Sequence, residues 1–127
     1  MAYYLDYINA VYFHIKLMRE HGEVRYGVFE RSLVESALAR PQQAAAYEAA
    51  DLLRQAATLC FGLIKNHPWV GGNKRTATHL TELFLSANGW RVLAEEAEVI
   101  ELVLAIESDH FSIDDIVHWY RMHSRPK

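Results

Sequence analysis

The sequence predicts an all-α protein, a compact bundle of about six helices with at most a short extended piece. Three observations predict it. Apolar residues recur at i, i+3 and i+4 along most of the chain. Serines followed three residues later by Glu or Asp, a helix-start signal, stand before two of the apolar runs. The punctuation between runs is a Gly, a Pro or an Asn-Gly, and no repeat, low-complexity tract or linker-like stretch intervenes.

The first helix takes Leu5, Ile8, Val11, Tyr12 and Ile15 as its buried face, and Gly22 offers a stop. The second starts at Ser32, with Glu35 as its capping-box partner, turns Leu33, Ala37 and Leu38 inward, and ends at Pro41. The third runs from about Tyr47 to Lys65 with Leu52, Leu53, Ala56, Leu59, Cys60, Leu63 and Ile64 inward. A fourth begins near Asn73 and lines up Ala77, Leu80, Leu83, Phe84 and Ala87, with Asn88-Gly89 as a left-handed stop. "WRVL" is the candidate extended piece. The fifth helix buries Val99, Leu102, Val103 and Ile106, while Glu95, Glu96, Glu98 and Glu101 suit its first turns and solvent face. The sixth starts at Ser112, with Asp115 at the reciprocal capping position, and carries Ile113, Ile116, Val117 and Tyr120.

At 127 residues, of which 51% are hydrophobic, the chain reads as one domain over 1–127 that needs no disulfide or structural metal. A net charge of −3 gives no general affinity for nucleic acid or anionic membranes, so neither is an expected partner. The single cysteine, Cys60, lies in "LCFGLI" and reads as a small buried apolar residue. No apolar run approaches ~18 residues and no signal-peptide pattern opens the chain, so a cytoplasmic location is expected.

One stretch gathers polar equipment in a loop's length. "NHPWVGGNKRTA", Asn66 to Ala77, joins two helices through a loop at His67 to Gly72. A helix N-terminus directs unpaired N–H groups outward and carries partial positive charge. The glycine pair lets that backbone approach a ligand closely. Asn73 caps or donates, and Lys74 and Arg75 add full charge, which together describe an anion site, above all for phosphate. His67, just upstream, is placed to take a proton from a hydroxyl near pH 7. Trp69 turns inward to pin the loop. On spacing alone a plainer reading fits the same residues: a solvated first turn, and a histidine complementing a helix C-terminus.

"HPWVGGNKRTA" resembles the signature of the Fic/Doc family: His, an aromatic two residues on, an acid, a small residue, then Asn and a basic pair. The Asn-Lys-Arg ending resembles the Doc (death on curing) branch, and "HGEVRYGVFERSLVESALARPQQ" is similar to that branch's upstream segment. The likeness covers roughly residues 10 to 122. It implies the toxin of a type II toxin–antitoxin pair, held by a small Phd-like antitoxin. It further implies a kinase moving the γ-phosphate of ATP to a threonine of elongation factor Tu, blocking translation. Fic relatives instead transfer AMP. By this resemblance His67 is the catalytic base, and Gly72, Asn73, Lys74 and Arg75 hold the nucleotide phosphates, with Lys65 assisting.

The departure is Gly71, where the family expects an Asp or Glu that helps hold Mg²⁺ on the ATP phosphates. Three functions therefore stand: a Doc-type kinase with weakened magnesium binding, a degenerate domain that binds nucleotide or antitoxin with little catalysis, and an AMP transferase. Glu48, Asp51 and Glu82 are carboxylates able in principle to substitute for the missing acid. His14 has two open roles, lining the site or packing. His79 points away from the phosphate end, toward solvent or Glu82, and His110, His118 and His123 form no constellation.

Overall fold

The structure is a computed structural model and describes residues 2–127. Six helices carry it, α1 (Tyr7–Glu20), α2 (Arg31–Glu48), α3 (Leu52–Asn66), α4 (Asn73–Ala87), α5 (Glu96–Glu107) and α6 (Ile113–His123), so the fold is all-α. The only sheet among the described residues pairs β1 (Trp90–Val92) antiparallel to β2 (Ser124–Pro126), with Trp90 opposite Pro126 and Val92 opposite Ser124. β1 falls in the extended "WRVL" piece. Its partner β2, at the far end of the chain, has no signal of its own.

α3 is the central helix. Leu53, Ala56, Ala57, Leu59, Cys60, Leu63 and Ile64 are all buried, and α2, α4, α5 and α6 pack around it. That nearly continuous apolar surface explains why it, and not a flanking helix, sits at the centre. Burial pushes the Cys60 thiol up to about 11, so it is an inert core residue. Tyr120 of α6 is buried beside it.

Five local expectations are corrected. On α1 the buried residues are Ala10, His14, Leu17 and Met18, whereas Ile8 and Tyr12 are exposed at 76% and 60%. Both stripes obey helical spacing, but the one that turns inward contains a histidine, which an apolar count overlooks. α2 does not end at Pro41, which is buried inside it. The missing N–H costs about 3 kcal/mol, yet the stripe Val34, Ala37, Leu38, Pro41 and Ala44 packs on α3 and carries the helix through. α2 also begins without the Ser32 box. The Ser32 hydroxyl donates to Glu30 at 3.2 Å, and Glu35 pairs with Arg31 at 2.9 Å. Tyr47 and Glu48 consequently close α2, and α3 starts at Leu52, where the Asp51 carboxylate accepts the Arg54 N–H at 2.8 Å. On α4, Ala87 is exposed and Thr76, Thr81 and Leu85 join the buried face.

The Ser112–Asp115 capping box is present at the start of α6. No described helix is long and apolar enough to cross a membrane.

Candidate functional site

α3 delivers the loop and α4 receives it. Asn66, the last residue of α3, donates from Nδ2 to the Leu33 carbonyl at 3.0 Å, fixing the helix end to α2. His67 follows with φ 48°, in the left-handed region, and its side chain is exposed. A non-glycine residue held there costs on the order of 1 kcal/mol, so the surroundings must impose it. They do so at once: the Pro68 carbonyl accepts the Phe29 N–H at 2.9 Å, and the Val70 N–H donates to Gly27 at 2.9 Å. The segment 27–29 thus forms a short antiparallel bridge with the loop, Val28 opposite Trp69.

Beneath the loop Trp69 is buried, stacked on the His14 ring with centroids 4.1 Å apart. Its indole N–H finds no acceptor among the described residues, so packing holds it there. The Asn73 amide clamps the same backbone. The Trp69 N–H donates to Asn73 Oδ1, and Asn73 Nδ2 donates to the Trp69 carbonyl, both at 2.9 Å. Asn73 therefore shapes the loop with its side chain, and what it leaves for a ligand is its backbone N–H. The first hydrogen bond of α4 runs from Thr76 N–H to the Gly72 carbonyl at 2.9 Å. The N–H groups of Asn73, Lys74 and Arg75 accordingly lack intrahelical acceptors.

His67, Gly72, Asn73, Lys74 and Arg75 line one groove of about 810 Å³. Its other wall comes from α5 and the turn before it, with Val99, Val103 and Leu104 among the lining residues. Lys65 does not line it. Its ammonium turns to the α5–α6 turn and pairs with Asp109. The groove cations are themselves matched by acids: Lys74 Nζ lies 3.2 Å from Glu107, and Arg75 Nη1 lies 3.3 Å from Glu23. All four of these side chains are well exposed, so each pair is worth roughly 0–1 kcal/mol and yields readily to a more highly charged anion.

At Gly71 the structure supplies a reason for the missing acid. A Cβ built there would lie 2.4 Å from the Arg25 carbonyl oxygen and 3.3 Å from its carbon. Both are backbone atoms, two residues before the segment bridged to the loop, so they do not swing aside as a side-chain tip would. Position 71 has no room for a carboxylate while the Arg25 backbone holds this position. Among the described residues no group of three or more His, Cys, Asp or Glu is set to hold a metal ion. Position 71 therefore gives magnesium no side-chain ligand. Of the carboxylates considered as substitutes, Asp51 caps α3 and pairs with Arg121 at 3.2 Å, and Glu48 lies 3.7 Å from Arg54. Only Glu82 lines the groove; its side chain is exposed, and partial desolvation raises its carboxyl above the usual range.

His14 packs and does not line the groove. It is fully buried, its Nε2 accepts the Gly27 N–H at 3.0 Å, and its Nδ1 lies 2.8 Å from Thr76 Oγ1. The backbone donor assigns the lone pair to Nε2, hence the proton to Nδ1, which donates to the threonine. Burial lowers its pKa to about 4, so the ring is neutral at pH 7. His79 makes no bond to Glu82. It is half-buried, edge-on to the Phe13 ring at 6.4 Å. His123 does have partners: Nδ1 to the Trp119 carbonyl at 2.7 Å and Nε2 to Glu98 at 3.0 Å, joining α6 to α5.

Sequence reasoning missed Glu23, Arg25, Thr78 and Glu107 as neighbours of the site. Thr78 was within reach, since it stands one helical turn beyond Lys74. The others approach from separate elements and leave no local signal.

Fold and groove together define a class: a helical protein with the unpaired N–H groups and cations of a helix start beside an imidazole. The sequence model of the Fic/DOC family matches residues 4–85, well over half of the chain, and the chain belongs to that family. Membership makes its function one of Fic-type nucleotidyl or phosphoryl transfer or toxin action. No curated protein matches the chain.

Proposed function

We propose that the protein is a Doc-branch toxin of a type II toxin–antitoxin pair, moving the γ-phosphate of ATP to a protein hydroxyl in the cytoplasm. The observation that carries this is the joint placement of His67 and the start of α4 on one groove. The N–H groups of Asn73 to Arg75, with Lys74 and Arg75, suit the phosphates, and His67 suits the acceptor hydroxyl. The hydroxyl oxygen forms a bond to the γ-phosphorus as the bond from that phosphorus to the β–γ bridging oxygen breaks. The hydroxyl proton passes to His67, and ADP leaves. Lys74 and Arg75 first exchange Glu107 and Glu23 for phosphate oxygens. No step runs through magnesium, for which position 71 offers no ligand. Losing such an electrostatic contact lowers the rate by about 10- to 1,000-fold. By family resemblance the acceptor is a threonine of elongation factor Tu, and a Phd-like antitoxin is the partner.

A second reading draws on the Arg25 carbonyl over Gly71: a degenerate domain that binds nucleotide or antitoxin and transfers little. One experiment separates the two readings. ATP labelled on the γ- or the α-phosphate is incubated with bacterial lysate and either wild type or His67→Ala. A γ-labelled band near the size of elongation factor Tu, lost in the variant, supports the kinase. Label from the α-phosphate alone replaces it with AMP transfer, and no label from either leaves the binder.

A further inference from the structure

We infer that α4 acts as a ruler for the nucleotide along the groove, with Glu82 reading the base and favouring an exocyclic amino group over a keto oxygen. This rests on the reading that phosphates occupy the start of α4.

Lys74, Thr78 and Glu82 stand four residues apart, which puts them on one face of the helix, and all three line the groove. At 1.5 Å per residue they cover about 12 Å along the helix axis. Their order is cation, hydroxyl, carboxylate. A nucleoside polyphosphate laid along the same line presents phosphate, hydroxylated sugar and base in that order, and reaches about as far. Thr78 Oγ1 donates to the Arg75 carbonyl at 3.2 Å and keeps its lone pairs for a sugar hydroxyl.

Glu82 differs from the other acids around the groove. Glu107 and Glu23 are matched to Lys74 and Arg75. Glu82 has no hydrogen-bond or ion-pair partner among the described residues, and its exposed carboxylate is open to the groove. Facing it across the groove, Val99, Ile100, Val103 and Leu104 of α5 offer an apolar wall suited to the flat face of a base. Glu96 also lines the groove, but it stands in the first turn of α5, where the helix dipole compensates it. An unpaired carboxylate accepts from an amino N–H and repels a carbonyl lone pair at the same position. A site built around such a bond rejects the analogue that lacks the donor.

ATP and ITP make the comparison, because they share phosphates and ribose and differ only on one edge of the purine, amino at position 6 with a bare N1 in ATP, keto with an N1–H in ITP. Calorimetric titration of the intact chain is expected to give about a tenfold preference for ATP, well short of an enclosed site because the groove is open. In Glu82→Ala the preference falls to about one by loss of ATP affinity. In Glu96→Gln it stays. Unchanged binding of inorganic tripolyphosphate by each variant certifies that the fold and the phosphate end are intact. Equal affinity of the wild type for ATP and ITP, or an unaltered preference in Glu82→Ala, overturns the base reading and leaves the phosphate site standing. Failure of ATP, ITP and tripolyphosphate alike overturns the nucleotide reading of the groove and this inference with it.

Discussion

The imidazole of His14 lies face to face with the indole of Trp69, ring centroids 4.1 Å apart and planes 13° from parallel. Through this stack, and through its bonds to Gly27 and Thr76, one buried side chain on α1 ties together the bridge segment, the His67 loop and the first turn of α4.

His14→Phe preserves the stack and removes both bonds, leaving the buried Thr76 hydroxyl and the part-buried Gly27 N–H without these partners. A cost of about 2–4 kcal/mol is expected, seen as a lower denaturation midpoint at unchanged m. A variant melting with the wild type would deny His14 its linking role.

The same residue gives stability a pH dependence. Its folded pKa of about 4 lies below the ordinary 6.5, so between these values the unfolded chain binds the extra proton. The His14 contribution is whole above pH 6.5 and is lost as pH falls toward 4. Urea midpoints measured across that window decline more steeply for wild type than for His14→Phe, and parallel slopes would contradict the assignment.

Gly71→Asp restores the acid the family resemblance calls for, and is expected not to restore metal binding. The new Cβ meets the Arg25 backbone, so that backbone must shift, at about 1–3 kcal/mol by analogy with overpacked cores. A lowered melting temperature without magnesium-dependent stabilisation is expected. A variant as stable as wild type that gains stability with magnesium would show that the segment gives way freely.

Glu107→Gln frees Lys74, and Glu23→Gln frees Arg75. Each is expected to strengthen tripolyphosphate binding by about two- to fivefold while changing stability by less than about 1 kcal/mol, because the pairs are exposed. The gain shrinks at high salt. If neither variant binds more tightly, these carboxylates do not compete with anions for the cations.

Asn73→Ala removes the two bonds that clamp the backbone of Trp69. Local loosening is expected, with roughly 1–3 kcal/mol lost, and Trp69 emission shifts to the red as the ring gains access to water. Unchanged emission together with weakened anion binding would instead give the Asn73 amide a direct role at the ligand.

What the sequence determined is what neighbours along the chain can encode. Apolar spacing marked the central α3 stripe from Leu53 to Ile64, the Ser112–Asp115 cap marked the start of α6, and an unbroken run from His67 to Arg75 marked the groove's polar end. Each is settled within a few turns of backbone, where helical geometry fixes which side chains meet. Only the tertiary structure decided which stripe of α1 turns inward, that α2 continues through Pro41, and that Glu23, Arg25 and Glu107 surround the site. Those outcomes depend on packing and charge between elements tens of residues apart. There a helix against α3 outweighs the loss of one hydrogen bond, and a backbone carbonyl takes the space a carboxylate would need.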